Sequence, residues 1–446
     1  MKKVLIISIL LLLLSGAALA VSQITLNEVK RPQSAILFIV DGFGSSYYYP
    51  ELTPIALDGS ELLKARTRNL TFGTRIVDIK TSHPITGIAH SVIATGYSEA
   101  NEEVVGYTDA TIFDVTRKHG FVNIAVMQKG DFKNMREEQD IIIFDENNSI
   151  NKPSMSIQSK SPPIGVYDSM YEWKMKVPSY MNKSGVDRYS AYNKWGIDTA
   201  NAVMKFMIKN HPDQKFLLTV NIGAIDSGGH NLGADDYIRL IEDLDRDFYA
   251  LYKTASENNI ALFFTADHGM SFAKKNAQRG GHSGDKYISR QESLRIPLVI
   301  LSPNAVQGTV SGEYRQEDIA PTLLSILDLP PHLQYADGKA INIKNYASIF
   351  IKADSQYTVS LWDNGRKISE GSDSELIFSG LPLNTTYTLK ASGTGGTYEE
   401  HVSLDSDKQF NFNSPEAKLS NRAILAVVLI LIVIIGGIIV IKRIKD

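Results

Sequence analysis

Short apolar runs that end in metal-ligand residue types constrain the fold of this chain more than any other feature. The clearest run, residues 260–264, is followed after two residues by Asp267, His268 and Gly269. A run of this length without a charged residue is typical of a strand buried in a parallel sheet. Because ligands bind beyond the carboxyl ends of strands in open α/β sheets, this stretch predicts an active-site edge. An isolated Asp-His pair at a strand end could equally be a cap or a turn, so the prediction depends on the other segments.

Two further runs end in the same way. Residues 34–40 are followed directly by Asp41, and residues 216–222 lead to Asp226 and His230, which are four positions apart. This spacing places both side chains on one side of a helical turn or a tight glycine loop, where they could share one ion. The alternation of such runs with helix-like segments predicts an α/β fold with a doubly wound, mostly parallel sheet.

Thr86 and His282 complete the set of candidate residues. Thr86 lies ten residues before Gly96, and the segment between them predicts a helix that begins near Thr86 and ends at Gly96. A hydroxyl at a helix N-terminus lies at the positive end of the helix dipole, which favours an oxyanion or a phosphate there. The alternative is that Thr86 only caps the helix. His282 lies in a loop flanked by glycines, which would let its ring approach the other candidates.

Taken in order, these residues resemble the metal core of the alkaline phosphatase superfamily, which includes nucleotide pyrophosphatase/phosphodiesterases, cofactor-independent phosphoglycerate mutases and sulfatases. The resemblance covers about residues 34–329. It implies two metal sites and a threonine nucleophile. One ion would be held by Asp226, His230 and His282, and the other by Asp41, Asp267, His268 and the nucleophile Thr86.

The ligand types indicate the metal and the reaction that the resemblance implies. Imidazole and carboxylate ligands suit zinc or manganese. The expected cofactors are therefore two divalent ions, with Zn²⁺ preferred and Mn²⁺ as the alternative. Two ions about 4 Å apart can stabilise the attacking and leaving oxygens of an in-line displacement. The expected activity is hydrolysis of a phosphate ester substrate, by a phosphatase or a phosphodiesterase, through a phosphothreonine at Thr86.

Departures from the superfamily pattern narrow this expectation. Sulfatases use a modified cysteine or serine in a Cys/Ser-x-Pro-x-Arg setting, whereas residues 82–86 read Ser-His-Pro-Ile-Thr with no arginine at that spacing. A sulfatase is therefore not expected. Many alkaline phosphatases have a glutamate where this chain has Asn221, so their third, magnesium-binding site is not expected either.

The ester class stays open at this point. The four-residue spacing from Thr86 to His90 resembles the diesterases, yet Tyr107 stands where spacing would put their asparagine. The runs at 223–230 and 265–268 resemble the monoesterases instead. Two other functions also remain: a phosphotransferase or mutase of the same superfamily, or a catalytically inactive surface binding or adhesion protein on this fold. The complete set of seven costly polar residues argues against the inactive protein.

Composition excludes several classes of protein. The chain has 446 residues, of which 43% are hydrophobic and 21% charged, which suits one large domain and a smaller one. A net charge of -3 gives no indication of a nucleic-acid-binding surface. Because cysteine is absent, disulfides, thiolate zinc sites and cysteine nucleophiles are excluded.

Both ends of the chain carry membrane signals. Residues 1–20 have the basic, apolar and small-residue regions of a cleaved signal peptide, with an uncleaved anchor as the alternative. The apolar run 423–441 would reach about 28 Å as a helix, which is close to the thickness of a bilayer core. Lysine and arginine in the tail, residues 442–446, predict a cytoplasmic C-terminus. A single-pass protein of the cell membrane with an extracellular catalytic domain is therefore expected, and glycosylation sequons begin at Asn69, Asn147, Asn182 and Asn384.

The domain division follows from changes in pattern. Residues 21–350 are expected to form the catalytic domain. Within it, residues 146–195 lose the regular pattern, which predicts an inserted cap that selects substrate or, equally, a long irregular loop. Residues 354–413 contain short alternating stretches between glycine-rich turns and predict a small β-sandwich that weakly resembles fibronectin type III modules. It would be a spacer above the membrane or an adhesion module.

Overall fold

The computed structural model describes residues 22–130, 132–331 and 333–412. The predicted signal peptide (1–20), transmembrane helix (423–441) and cytoplasmic tail (442–446) lie outside these ranges. Within the described ranges, no helix combines the length and the apolar content that crossing a bilayer requires.

The described chain alternates strands and helices up to residue 326 and is almost entirely β after it. The strands, in chain order, are β1 (Ser22–Thr25), β2 (Ser34–Val40), β3 (Thr74–Lys80), β4 (Val122–Met127), β5 (Ile141–Asp145), β6 (Met155–Ser159), β7 (Phe216–Ile222), β8 (Ile260–Ala266), β9 (Ser271–Phe272), β10 (Gly280–Gly281), β11 (Arg295–Leu301), β12 (Gly308–Val310), β13 (Tyr314–Arg315), β14 (Ala347–Asp363), β15 (Arg366–Leu381), β16 (Thr385–Gly393), β17 (Gly396–Leu404) and β18 (Lys408–Phe412). The α-helices are α1 (Thr86–Thr95), α2 (Glu102–Val105), α3 (Ile112–Lys118), α4 (Lys133–Glu137), α5 (Val166–Tyr180), α6 (Gly185–Asn210), α7 (Ala224–Asn231), α8 (Ala234–Glu257), α9 (Gln291–Leu294) and α10 (Ile319–Ile326).

The described chain forms two bodies, and a mixed sheet forms the centre of the larger one. Its strand order is β12-β3-β11-β8-β2-β7-β4-β5-β6, and β13 also pairs with β3. The neighbours from β8 to β5 are parallel, whereas β11 is antiparallel to both β8 and β3, and β6 is antiparallel to β5. The prediction of a mostly parallel α/β sheet is confirmed at its centre, and antiparallel pairs occur towards both edges.

The three central strands are buried on both faces. Every residue of β2, β7 and β8 is buried. Because successive side chains of a strand point to opposite faces, helices must cover both sides of the sheet. Helices α6 and α8 pack against each other and against the central strands, while α3 packs on β4 and contacts α1. This double cover explains why these strands are mostly apolar and carry no charged residue.

The register of the central strands brings their carboxyl ends to one edge. Val40, the last residue of β2, pairs with Ile222 of β7 on one side and with Ala266 of β8 on the other. Met127, the last residue of β4, pairs with Asn221. The loops that follow these strands therefore start side by side.

The segment 146–195 is largely regular, so the alternative of a long irregular loop is wrong. It contains β6, which extends the sheet, the whole of α5 and the first turns of α6. The helical period was hard to recognise because α5 fully buries only Val166, Met170 and Val177, and its other residues are polar, exposed or partly buried. Pro178 lies in the last turn of α5 and does not interrupt it. The role of this segment as a substrate-selecting cap stays a prediction.

The C-terminal strands form a second body with its own apolar core. β14 to β18 and the N-terminal β1 join in one network, with the order β1-β15-β14-β16-β17 and β18 beside β14. A shift of register between Lys352 and Tyr357 lets one part of β14 pair with β18 and the other with β16. The division of these strands into the two sheets of a sandwich stays a prediction. β1 comes from the N-terminal end of the segment expected to form the catalytic domain.

A buried polar cluster joins the two bodies. Asp328 Oδ1 accepts a hydrogen bond from Lys344 Nζ at 2.8 Å, and Asp328 Oδ2 accepts bonds from Tyr346 Oη at 2.7 Å and Ser379 Oγ at 3.1 Å. Lys344 also pairs with Asp407 at 2.9 Å. Because buried charges are tolerated only when they are paired, this cluster requires all its members.

Candidate metal centre

The fold brings all seven candidate residues to the carboxyl edge of the sheet. Asp41 follows β2 directly, and Asp267 and His268 follow β8. Asp226 and His230 lie on α7, the helix after β7, with the spacing of one helical turn. Thr86 is the first residue of α1, and His282 comes directly after β10.

Close packing of two loops explains the glycine after Asp41. The backbone N–H of Asp226 donates to the carbonyl of Asp41 at 3.0 Å. Gly42 has φ +73°, and a Cβ at this position would lie 2.7 Å from the Cα of Asp226. Only glycine tolerates both conditions, so Gly42 allows the two carboxylates to come together.

One cluster of ligand atoms consists of Asp226, His230 and His282. Their ligand atoms lie within 4.8 Å of one another. Nε2 of His230 is 3.2 Å from Asp226 Oδ1, and Nε2 of His282 is 3.5 Å from the same oxygen. The other ring nitrogens face carbonyl oxygens, of Gly280 at 3.1 Å and of Pro84 at 2.6 Å. A carbonyl only accepts, so each Nδ1 carries the proton and each Nε2 presents a lone pair to an ion.

A second cluster is centred on His268. Asp41, Asp226 and His268 also have ligand atoms within 4.8 Å of one another. Nε2 of His268 lies 3.3 Å from Asp267 Oδ2 and 3.1 Å from the hydroxyl of Thr86. The resemblance placed Asp226 with one ion only, whereas its carboxylate lies within both clusters. The two clusters are therefore adjacent.

Thr86 does not have the contacts of a capping residue. The N-cap of α1 is Ile85, and no side chain caps this helix. The hydroxyl of Thr86 instead pairs with His268, across the site. A side chain at the first helical position thus faces the carboxylates, which is the orientation that a nucleophile requires.

The carboxylates have oxygen atoms that their own protein neighbours leave without hydrogen bonds. Oδ1 of Asp41, Oδ1 of Asp226 and Oδ2 of Asp267 are buried and have no hydrogen-bond partner, while Oδ2 of Asp41 faces the ammonium of Lys129 at 3.2 Å. Burying such groups is costly unless they are paired or coordinate a metal. The donor set of carboxylates and neutral imidazoles, with lone pairs converging from several strands, fits divalent cations of the zinc class.

Burial also shifts the protonation of the metal-free site. It raises the pKa of the Asp41 carboxyl to about 7, although nearby Lys129 lowers it. Burial and then the charge of Asp41 raise the pKa of Asp267 well above its ordinary value. Burial, helped by neighbouring His282, lowers the pKa of His268 to about 3, so this imidazole stays neutral. A cation that bound here would displace protons from the carboxylates.

Lys129 is a residue of the site that the sequence analysis missed. Its ammonium lies 3.2 Å from Asp41 Oδ2 and 3.7 Å from Asp226 Oδ2, and its side chain is 18% exposed. Asp41 holds the pKa of Lys129 above its ordinary value. A signal was present, because Lys129 comes two residues after the apolar strand β4, close to the strand end, as Asp41 does after β2. Lys129 was missed because only residue types that bind metals were considered as candidates, and a lysine ammonium is not one of them.

Asn221, His90 and Tyr107, which the sequence comparison with monoesterases and diesterases singled out, have different surroundings in the structure. Asn221 and His90 hydrogen-bond each other under the site, with Asn221 Nδ2 3.0 Å from His90 Nε2. The hydroxyl of Tyr107 donates to Glu103 at 3.0 Å, and its ring lies against Tyr335. Both of these contacts are with residues outside the set of candidate site residues.

Comparisons with known proteins agree with the geometry. The family model described as Sulfatase matches residues 35–329. Alkaline phosphatase PhoV of Synechococcus elongatus is 26% identical over 207 residues, which cover 42% of this chain and 36% of that protein. The 2,3-bisphosphoglycerate-independent phosphoglycerate mutase of Mycoplasmoides gallisepticum is 29% identical over 132 residues, or 29% of this chain and 24% of that protein. The chain thus spans about a third or less of the length of these curated relatives.

A solved structure shares the fold. The crystal structure of wild-type alkaline phosphatase PafA matches with a TM-score of 0.50 and 15% identity, covering 71% of this chain and 99% of that chain.

Proposed function

This chain belongs to the sulfatase family within the alkaline phosphatase superfamily, and from that premise we propose that it hydrolyses phosphoric esters with two divalent cations and Thr86 as nucleophile. The observation that carries the proposal is the position of the Thr86 hydroxyl. It lies 3.1 Å from His268 Nε2, beside buried carboxylate oxygens that have no hydrogen-bond partner.

The residues of the site would have two roles, metal binding and nucleophilic attack. Asp226, His230 and His282 would hold one cation, and Asp41, Asp267 and His268 the other, with Asp226 in reach of both. When bound, such cations lower the pKa of a hydroxyl and stabilise negative charge on a phosphoryl group. The hydroxyl of Thr86 would give its proton to water as Oγ1 attacks phosphorus, the bond to the leaving oxygen would break, that oxygen would take a proton from water, and a phosphothreonine would form. Water would then release phosphate and regenerate the hydroxyl.

The position of Thr86 at the start of α1 gives further support to a substrate that carries a phosphoryl group. The first backbone N–H groups of a helix have no intrahelical partner and attract anions. Thr86 at the first position of α1 would place a transferred phosphoryl group next to these donors. A sulfatase activity is not proposed in spite of the family name, because the position holds threonine and residues 82–86 lack the arginine of that motif.

Charge balance favours monoesters over diesters. Three carboxylates (Asp41, Asp226 and Asp267), the ammonium of Lys129 and two divalent cations would leave two net positive charges. A phosphomonoester dianion would neutralise them, whereas a diester carries one negative charge. We therefore propose a phosphatase, with phosphodiesterase activity as the weaker reaction.

The experiment is a metal analysis of the purified protein followed by a substrate screen. Aryl phosphomonoesters, aryl phosphodiesters and aryl sulfates would be compared after loading with Zn²⁺ or Mn²⁺. Turnover of the monoester that disappears with a chelator and returns with metal is the expected result. A fully active metal-free protein, or a metal-loaded protein without turnover of any phosphoric ester, would end the proposal; the second result would favour a surface binding protein.

We propose the location from the terminal sequences alone. An apolar run at 423–441 with basic residues after it would anchor the chain in the cell membrane with the catalytic domain outside. Protease treatment of intact cells tests this. Survival of the domain while a known surface protein is digested would refute it.

A further inference from the structure

A buried histidine lies under the site and has no role in the reaction proposed above. His90 is one helical turn after Thr86 on α1 and is only 1% exposed. Its ring stacks on Phe132, with the centroids 4.4 Å apart. Its Nδ1 lies 2.8 Å from the carbonyl oxygen of Thr86, and its Nε2 lies 3.0 Å from Nδ2 of Asn221.

These partners specify the protonation of the ring. The backbone N–H of Lys129 donates to Oδ1 of Asn221 at 3.1 Å, so the amide oxygen of Asn221 faces Lys129 and its NH₂ group faces His90. An NH₂ group only donates, so Nε2 of His90 must accept. The carbonyl of Thr86 only accepts, so Nδ1 must carry the proton. The ring is therefore a neutral Nδ1–H tautomer with both nitrogens used.

The hydrogen bonds form one chain through the floor of the site. It runs from the backbone of Lys129 through Asn221 and His90 to the backbone of Thr86. The same Nδ1 of His90 is 3.5 Å from Oδ2 of Asp267. Three separate segments, the start of α1 and the loops after β4 and β8, thus contact one His-Asn pair. Each of these segments contributes a functional group to the site.

We propose that His90 and Asn221 are positioning residues that hold the hydroxyl of Thr86 and the ammonium of Lys129 at a fixed separation. The inference rests on the proposed function. Both residues are buried and act through their neighbours' backbone. Because a misplacement of about 1 Å can cost on the order of a hundredfold in rate, a pair that fixes two groups should affect turnover more than substrate binding.

Kinetics of three variants test the proposal. His90→Asn keeps a short amide but cannot reach both partners, Asn221→Ala removes the link from the other side, and the double variant removes both. We expect kcat for an aryl phosphomonoester to fall roughly ten- to a hundredfold in each single variant while KM changes by less than about twofold. Since both residues would act as one unit, the double variant should be no worse than the poorer single variant by more than about threefold.

A matched control lies one residue along the same helix. Ser91 is buried and its hydroxyl donates to the carbonyl of Gly87 at 2.8 Å, so Ser91→Ala also removes a side chain–carbonyl bond from α1. Its kcat should stay within about twofold of the parent. Metal content and thermal unfolding are measured for every variant. Single variants that lose no more activity than Ser91→Ala, or a double variant whose loss is the product of the two single losses, would overturn the positioning pair.

A spectroscopic measurement separates this inference from the proposed function. If the parent turns over no phosphoric ester, the function fails, but ¹⁵N NMR of histidine-labelled protein still reports the state of His90. The signal is identified by its absence in His90→Asn. A neutral Nδ1–H ring at pH 7 is expected in the parent, and in Asn221→Ala the ¹⁵N signal of Nε2 should shift because this nitrogen loses its donor while the carbonyl of Thr86 keeps the proton on Nδ1. A protonated ring or an Nε2–H tautomer in the parent would refute the hydrogen-bond chain.

Discussion

Replacing Lys129 by methionine should change which ester the enzyme prefers. Lys129→Met keeps the length of the side chain and removes a charge that lies 3.2 Å from Asp41 Oδ2. At an effective dielectric constant of 20, a unit charge about 5 Å from that ammonium is worth about 3 kcal/mol. The side chain is 18% exposed, so solvent reduces this value to roughly half, or about tenfold in rate.

The assay compares kcat/KM for an aryl phosphomonoester and an aryl phosphodiester. A monoester carries one more negative charge, so the ratio of monoester to diester activity should fall about tenfold in Lys129→Met. Lys133→Met is the matched control, because it makes the same change of net charge at an exposed lysine four residues further on. An unchanged ratio in Lys129→Met, with metal content equal to that of the parent, would refute the charge argument.

Three other predictions concern the nucleophile, the metal and the junction of the two bodies. Thr86→Ala should abolish most turnover and change the free energy of unfolding by no more than about 1 kcal/mol, since Thr86 caps no helix, whereas Thr86→Ser should retain measurable turnover; kinetics beside thermal unfolding check both. His230→Ala should lose mainly one of two bound ions by metal analysis, because His230 contacts only the cluster with Asp226 and His282. Burial raises the pKa of Asp328. The charge of Lys344 and the hydrogen bonds that Asp328 accepts outweigh burial and hold that pKa below the ordinary 3.8. The stabilisation is therefore present above about pH 4 and is lost as pH falls through the lowered pKa, so Asp328→Asn should destabilise by about 3 kcal/mol at pH 7 and progressively less in acid, as denaturant unfolding at several pH values would show.

The centre of the fold could be predicted because burial on both faces leaves a simple record in the sequence. β2 and β7 appear as apolar runs with the predicted bounds, and β8 extends the predicted run by two residues. Helix α1 begins at Thr86 and ends before Gly96, whose φ of +66° explains the glycine. These features depend on local composition and on the backbone, and both can be read from one sequence.

The parts that were missed depend on distant contacts. β1 pairs with β15, which joins Ser22 to Leu376, and no local pattern indicates such a partner. Helix α5 buries few side chains, so its period is faint. Lys129 was passed over because its charge is opposite to that of the ligands, and its proximity to Asp41 follows only from the register of β4 and β7. Asp41, Asp226, His230, Asp267 and His268 could be proposed because strand ends in a parallel sheet converge. Thr86 and His282 were proposed from a helix start and a glycine-flanked loop.

The most direct test of the account is to look for phosphate on Thr86. Metal-loaded protein would be mixed with an aryl phosphomonoester, quenched in acid within milliseconds and digested for mass spectrometry. The account predicts a phosphothreonine at Thr86 that forms before phosphate is released, that requires metal, and that is absent in Thr86→Ala. Phosphate on another residue, or full turnover by Thr86→Ala with normal metal content, would contradict it.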